Sequence, residues 1–262
     1  MKRTIILAAL LATHLATTAF AKNKYIPAAA KAPGSNGTYW RTDVRIFNPS
    51  SVNDITVSLH FLPQGMDGSN ISGRGFNIGK RETLVLDDVV SILAPWATSA
   101  VGAIRIDSDH AHTNDDFIVS SRTYTGTGDA TRPGTFGQFV PAFEVTEATR
   151  SAAVLHVASR PGVRTNVGVM NPNLEPVTVR FTLLGIDGKP FLESVPLAVP
   201  PRSMQQWSMT DSFLFGGVYS ENGVIVAEAT APVFSWASVI DNYSGDAIFV
   251  RGVSQEESTM RQ

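Results

Sequence analysis

The chain has 262 residues, a formal net charge of −2, 17% charged residues and no cysteine. Without cysteine there are no disulfides, no thiolate metal sites and no lipid anchored on a cysteine. The mildly acidic balance offers no basic stripe for nucleic acid and no polybasic segment for an anionic membrane, so neither partner is expected.

The first residues read as a secretory signal. Lys2 and Arg3 form a basic start, Ile5 to Ala12 an apolar stretch, and Ala19-Phe-Ala21 a small-x-small exit. The apolar stretch is short and broken by Thr13, His14, Thr17 and Thr18, which argues against a membrane span. A signal peptide over 1–21 is expected, with a mature protein that has no membrane span and resides in the periplasm or outside the cell.

From residue 22 onward the pattern is all-β. Short segments alternate in apolar character and stop at Gly, Pro, Asn or Asp. In chain order, Gly34-Ser-Asn-Gly37 leads into Tyr39 and Trp40. Then comes Arg41-Thr-Asp-Val-Arg-Ile-Phe-Asn-Pro49, in which Thr42, Val44 and Ile46 share one face. Ile55, Val57, Leu59 and Phe61 form a second alternating run before the turn Gly65-Met-Asp-Gly68. Strands are expected over 76–78, 83–86, 103–106, 117–123 and 136–140, with a helical turn over 88–93 started by Asp88.

The series then repeats. Arg164-Thr-Asn-Val-Gly-Val-Met-Asn-Pro172 echoes 41–49, and Val177, Val179, Phe181 and Leu183 echo 55–61. Gly185-Ile-Asp-Gly188 echoes 65–68, 223–228 echoes 102–107, and 248–251 echoes 138–141. Strands are expected over 194–199, 204–208, 224–229, 233–240 and 247–250, with a second helical turn over 211–215 started by Asp211. A repeat of about 110–120 residues is domain-sized rather than solenoid-sized. The expected organisation is two tandem antiparallel β-sandwich domains arising from internal duplication, immunoglobulin-like in strand number, with a small barrel as the competing closure. The boundaries are domain 1 over 22–143, a polar linker over 144–153, domain 2 over 154–254 and a polar tail over 255–262.

The motifs Trp40-Arg-Thr-Asp-Val, Asn48-Pro49, Ser121-Arg-Thr-Tyr124 and Gly137-Gln-Phe-Val-Pro141 resemble those of a family of secreted bacterial duplicated β-sandwich modules of unassigned function. The resemblance implies fold and location and transfers no site. The second copy departs from it, with Ser238-Val-Ile-Asp241 aligned against 121–124 and Gly-Gln missing before Phe249.

The sequence shows no nucleophile elbow, zinc-protease helix, phosphate loop or dinucleotide fingerprint, so the chain is read as a non-enzyme. His60, on the polar phase of its strand, reads as solvent-facing, and His156 as a partly buried strand histidine. The one local cluster of ligand types is Asp107-Ser-Asp-His-Ala-His-Thr-Asn-Asp-Asp116. Asp109, His110, His112 and Asp115 are its candidate ligands for a divalent cation, the two histidines pointing the same way in an extended segment. The same residues suit a hydrophilic hairpin tip, and the second copy has only Ala229-Thr-Ala-Pro232 in its place. No other cofactor is expected. Arg41 and Arg164 suit either a ligand clamp or a structural pairing with a carboxylate or loop carbonyls. Trp207 and Trp236 read as core, whereas Tyr39 and Trp40 are the candidate ligand-binding pair for a carbohydrate.

The functional expectation is a binding, adhesion or envelope-structural protein whose partner is an envelope or extracellular protein or a glycan. A carbohydrate-binding module is the alternative, and a hydrolase with dispersed catalytic residues a further one.

Overall fold

The structure is a computed structural model and describes residues 23–108, 117–128, 131 and 133–255. The expected signal peptide and nearly all of the expected tail lie outside these residues.

The first half of the chain contains β1 (Asn23–Pro33), β2 (Tyr39–Phe47), β3 (Ile55–Pro63), β4 (Arg74–Ile78), β5 (Thr83–Leu86), the short helix α1 (Val89–Leu93), β6 (Ala100–Ser108), β7 (Ile118–Gly126), β8 (Thr135–Phe139) and β9 (Phe143–Glu144). The second half contains β10 (Thr149–Ser159), β11 (Val163–Asn171), β12 (Val177–Leu184), β13 (Pro190–Glu193), β14 (Leu197–Val199), β15 (Ser203–Ser208), β16 (Ser220–Asp241), β17 (Ala247–Arg251) and β18 (Val253–Ser254). Residues 211–215 form turns rather than a helix. The protein is thus nearly all β, and its strand pairs are antiparallel.

Each half builds one nine-stranded sheet. The first runs β4-β3-β6-β1-β2-β7-β8, with β5 added to β2 and β9 to β1. It curls over its own inner face, so that Val44 and Ile46 on β2 pack with Val57, Leu59, Ile104 and Ile106 from strands further along the sheet. This curled half-barrel falls between the sandwich and the barrel considered from sequence. The pairings of β1 with β6 and β9, β2 with β5 and β7, β3 with β6, and β7 with β8 reappear in the second half. There, β10 pairs with β16 and β18, β11 with β15 and β16, β12 with β16, and β16 with β17.

The echoed motif has the same structural role twice. Asn48 and Asn171 are fully buried. Asn48 donates from Nδ2 to the carbonyls of Asn53, Ile78 and Gly79, and its Oδ1 accepts the Ser50 N–H. Asn171 donates to the carbonyls of Glu175, Val199 and Pro200 and accepts from the Asn173 N–H. Each asparagine therefore holds the loop that leaves its strand to a loop from elsewhere in its half. Thr42 and Thr165 likewise bridge adjacent strands, accepting the N–H of Ala30 at 2.8 Å and of Ala158 at 3.1 Å.

Several sequence expectations are corrected. Strands β6 and β7, expected to be joined as a hairpin, are not partners: β6 lies between β3 and β1, and β7 between β2 and β8. In the second half a single 22-residue strand, β16, runs straight through Ala229–Pro232 and serves both positions. Pairing against β2 and β11 also shifts the expected alignment by one residue. Ser121–Tyr124 faces Val44–Arg41, as Ala237–Ile240 faces Val167–Arg164. Such a slip exchanges the two faces of a strand. Residues 144–153 are not a free linker, since Ser151, Ala152 and Ala153 pair with β16. His156 is exposed at a bulge, with φ of 61°, rather than partly buried.

A third apolar cluster joins the halves. Tyr25, Leu62, Ala103 and Phe143 from the first pack with Met170, Met204, Phe234 and Trp236 from the second. Backbone bonds cross the same seam: Gly65 N–H to the Met204 carbonyl at 3.1 Å and Gly68 N–H to the Pro201 carbonyl at 3.0 Å. The outward faces of the two sheets are therefore partly core.

Candidate functional site

One face of the second sheet sets up the most developed site. Strand pairing places Arg164 beside Ile240, Asn166 between Ser208 and Ser238, Gly168 between Gln206 and Trp236, and Met170 between Met204 and Phe234. Strand alternation puts these residues on one side. At one end, Met170, Met204, Phe234 and Trp236 close against the first half. At the other, the polar members are left around a cavity of about 360 Å³. The first half supplies the opposite wall with Trp40, Thr123, Gln138 and the small residues Ala28, Ala29, Ala30, Ala32 and Gly34.

The indoles are seated by glycines. A Cβ on Gly168 would lie 2.1 Å from two atoms of the Trp236 ring, and a Cβ on Gly34 would lie 2.4 Å from Trp40 Nε1. Glycine inside a strand marks such close approaches. Trp236 is 1% exposed and stacks on Phe249 with ring centroids 5.4 Å apart. Its Nε1–H is buried and has no hydrogen-bond partner among the described residues.

Arg164 is the one charged residue among the described residues that line the cavity. It donates to the side-chain oxygen of Asn242, a neutral amide, instead of the carboxylate or backbone carbonyls that a structural role suggests. Partial burial lowers the pKa of its guanidinium below the ordinary arginine value. Arg41, its counterpart in the echo, lies outside the lining and stacks over the Tyr39 ring at 5.6 Å. A hydrogen bond from Ser238 Oγ to Gln138 Oε1 at 2.9 Å ties the cavity walls together.

Tyr39 and Trp40 do not act as a pair. As neighbours on β2 they point to opposite faces, and Trp40 lines the cavity while Tyr39 does not. Tyr39 donates instead to the Thr98 carbonyl at 3.2 Å. Trp236 is buried, as the sequence suggested, but at the seam. Trp207 packs edge-on against Phe181. Trp96, Tyr219 and Tyr243 are exposed and outside this cavity. The polar wall residues Gln138, Asn166, Gln206 and Ser238 were not singled out in the sequence. Gly168 was the available signal, since glycine stands where the echoed segment of the first half has Arg45.

Asp109, His110, His112 and Asp115 lie outside the described residues. Among the described residues no group of three or more His, Asp or Glu side chains is arranged to hold a metal.

A second polar cluster lies on the outward face of the first sheet. His60 and Arg105 are neighbours across β3 and β6, and both reach Asp107 Oδ2, His60 Nε2 at 3.0 Å and Arg105 Nη2 at 2.8 Å. His60 also places Nδ1 2.9 Å from the Ile71 carbonyl, so it is held in the fold rather than facing solvent. Burial by itself would raise the Asp107 pKa, but the hydrogen bond from His60 and the charge of Arg105 bring it below the ordinary 3.8. A carboxylate with a depressed folded-state pKa contributes stability above its unfolded pKa. That contribution is lost as pH falls through the folded value. Asp107→Asn is therefore expected to melt below the parent at about pH 6, with the gap closing below about pH 4. A gap that stays constant to about pH 3 would show that charge on Asp107 is not what stabilises the cluster.

No family model matches the chain, and no curated protein matches it. Among solved structures, one described as "Crystal Structure of Thermotoga maritima 1070" is similar over 42% of this chain and 97% of its own. Its sequence identity is 19% and its TM-score 0.34, a likeness that carries no argument here. Among the described residues no helix is long and apolar enough to cross a membrane.

Proposed function

We propose that the chain is a secreted binding protein made of two copies of one β module, non-catalytic, whose ligand occupies the cavity at their junction. The observation that carries this reading is the origin of the cavity walls, with Trp40 from one copy and Arg164 and Trp236 from the other. The matching bonds of Asn48 and Asn171 support duplication, and the apolar seam supports a fixed relation between the copies. Exit through the signal at 1–21 puts the protein in the periplasm or outside the cell.

The cavity favours a small ligand over a protein partner. Its volume lies in the range of small-molecule sites, whereas stable protein interfaces take roughly 1,200 Å² or more of surface. Two indoles among amides and hydroxyls suit a sugar ring, which presents C–H faces to aromatic rings and hydroxyls to polar groups. The described lining residues include no histidine and no carboxylate. This composition lends the hydrolase alternative no support, since glycoside hydrolysis ordinarily needs a carboxylate pair.

A glycan array probed with the mature protein checks the reading. Binding should be detected and should disappear in Trp40→Ala at unchanged melting temperature. Equal binding by Trp40→Ala would move the site elsewhere, and turnover of a glycoside that persists through purification would replace binding with catalysis.

A further inference from the structure

We infer that the ligand of the junction cavity is a sugar ring bearing a single carboxylate, a uronic acid unit, with the carboxylate on Arg164. This rests on the binding reading above and adds the charge and chemistry of the ligand.

The first argument is the state of Arg164. Four other arginines have carboxylate partners, Arg45 with Asp87 at 2.5 Å, Arg105 with Asp107 at 2.8 Å, Arg180 with Glu193 at 3.3 Å and Arg251 with Glu147 at 2.7 Å, whereas Arg74, Arg122 and Arg202 donate to neutral oxygens and lie outside the cavity. Arg164 is half-buried on the cavity wall, and among the described residues no carboxylate lies within ion-pair distance. Its bond to Asn242 uses one terminal nitrogen and adds no negative charge. A partly desolvated guanidinium presents a planar fork that matches a carboxylate. With one cation and no anion among the described lining residues, a ligand of one negative charge balances the site. A phosphorylated sugar carries nearer two charges, and no second cation in that lining receives the excess.

The second argument concerns the remainder of the ligand. Buried polar groups are normally hydrogen-bonded, yet the Trp236 Nε1–H, on a residue 1% exposed, has no acceptor among the described residues. A ring oxygen or hydroxyl supplies one. Asn166, Gln206 and Ser208 line the wall beside it and provide donors and acceptors for further hydroxyls. Trp40 on the facing wall supplies the apolar surface. An organic acid without hydroxyls would leave this polar wall unused.

Calorimetric titration of the mature protein with glucuronate and galacturonate, with their methyl esters and with acetate, provides the test. At least one acid should bind on the order of tenfold or more tightly than its own ester, the scale of a charge-assisted hydrogen bond pair. Arg164→Gln should erase that preference, and Arg164→Lys should restore only part of it, because the charge returns without the fork. The acid-to-ester comparison is made on the unaltered protein, so it stands even where a variant folds poorly. Equal binding of acid and ester would overturn the carboxylate assignment while leaving a sugar site in the cavity. Acetate binding as tightly as either acid would overturn the sugar half. If acids and esters all fail to bind while the glycan array is positive, the inference fails alone; if the array is also blank, the binding reading fails with it.

Discussion

Asn171→Ala should lower the unfolding free energy by on the order of 3–5 kcal/mol, and Asn48→Ala by a similar amount. Neither side chain is exposed, and each substitution removes a whole set of bonds at once. In the second half, the carbonyls of Glu175, Val199 and Pro200 lose their donor, at 2.8, 3.3 and 3.0 Å, and the Asn173 N–H loses its acceptor at 2.9 Å. Asn173 also donates from its own amide to Asn171 Oδ1 at 2.8 Å. Alanine replaces none of this, and each buried group left unpaired costs roughly 1–3 kcal/mol, part of which local relaxation to water recovers. The asparagine serves both loops because one amide both donates and accepts. Aspartate keeps the acceptor and loses the donor, so Asn171→Asp should be destabilised as well. Urea unfolding followed by far-ultraviolet circular dichroism checks this. A loss under about 1 kcal/mol in both alanine variants would mean that the loops hold themselves and that the echoed Asn-Pro is incidental.

Gly168→Ala should be a strongly disruptive single-methyl change at the seam, costing about 1–3 kcal/mol with a red-shifted tryptophan emission. The new Cβ would stand 2.1 Å from two atoms of the Trp236 indole, well inside contact distance, in a strand paired on both sides. The backbone cannot retreat without breaking its pairing to β15 or β16, so the indole must move. Trp236 stacks on Phe249 and packs among Met170, Met204 and Phe234, so its movement loosens the contact between the halves. Ligand binding should fall with it, because the same ring borders the cavity. Emission and melting temperature both unchanged from the parent would show that the ring does not rest on Gly168.

Much of this fold could be read from residues before any coordinates. The alternation of Val44 and Ile46, and of Val57, Leu59 and Phe61, places one face of each strand inside, and these residues are buried. The echo at Arg41 and Arg164 anticipated a recurring set of strand pairings, and the Asn-Pro stops fall where the chain leaves β2 and β11. The slip at Ser121 had a different origin. Beyond Glu228 the second half is shorter, and no landmark residue marked where the matching resumed, so backbone pairing had to fix it. The site was less legible. Trp40 was named from its surroundings in sequence, but its presumed companion Tyr39 points away. Gln138, Asn166 and Gln206 carry no motif or spacing that sets them apart in the sequence. His60 looked solvated because its partners, Arg105 and Asp107, are distant in sequence.

The sequence by itself determined that this is an all-β protein, which residues face inward along β2, β3, β11 and β12, and that a set of residues near Arg41 returns near Arg164. Those properties are local: they follow from side-chain alternation and from the capacity of asparagine and proline to end a strand. Only the tertiary structure decided that the outward faces are also partly buried, Leu62 and Tyr25 against Met204 and Phe234, with a cavity left where β1 and Trp40 meet Arg164 and Trp236. The physical reason is that alternation tells which side of a strand is covered by its own sheet's core. What covers the other side depends on how two sheets meet, and that is set by the sum of contacts between residues far apart in the chain.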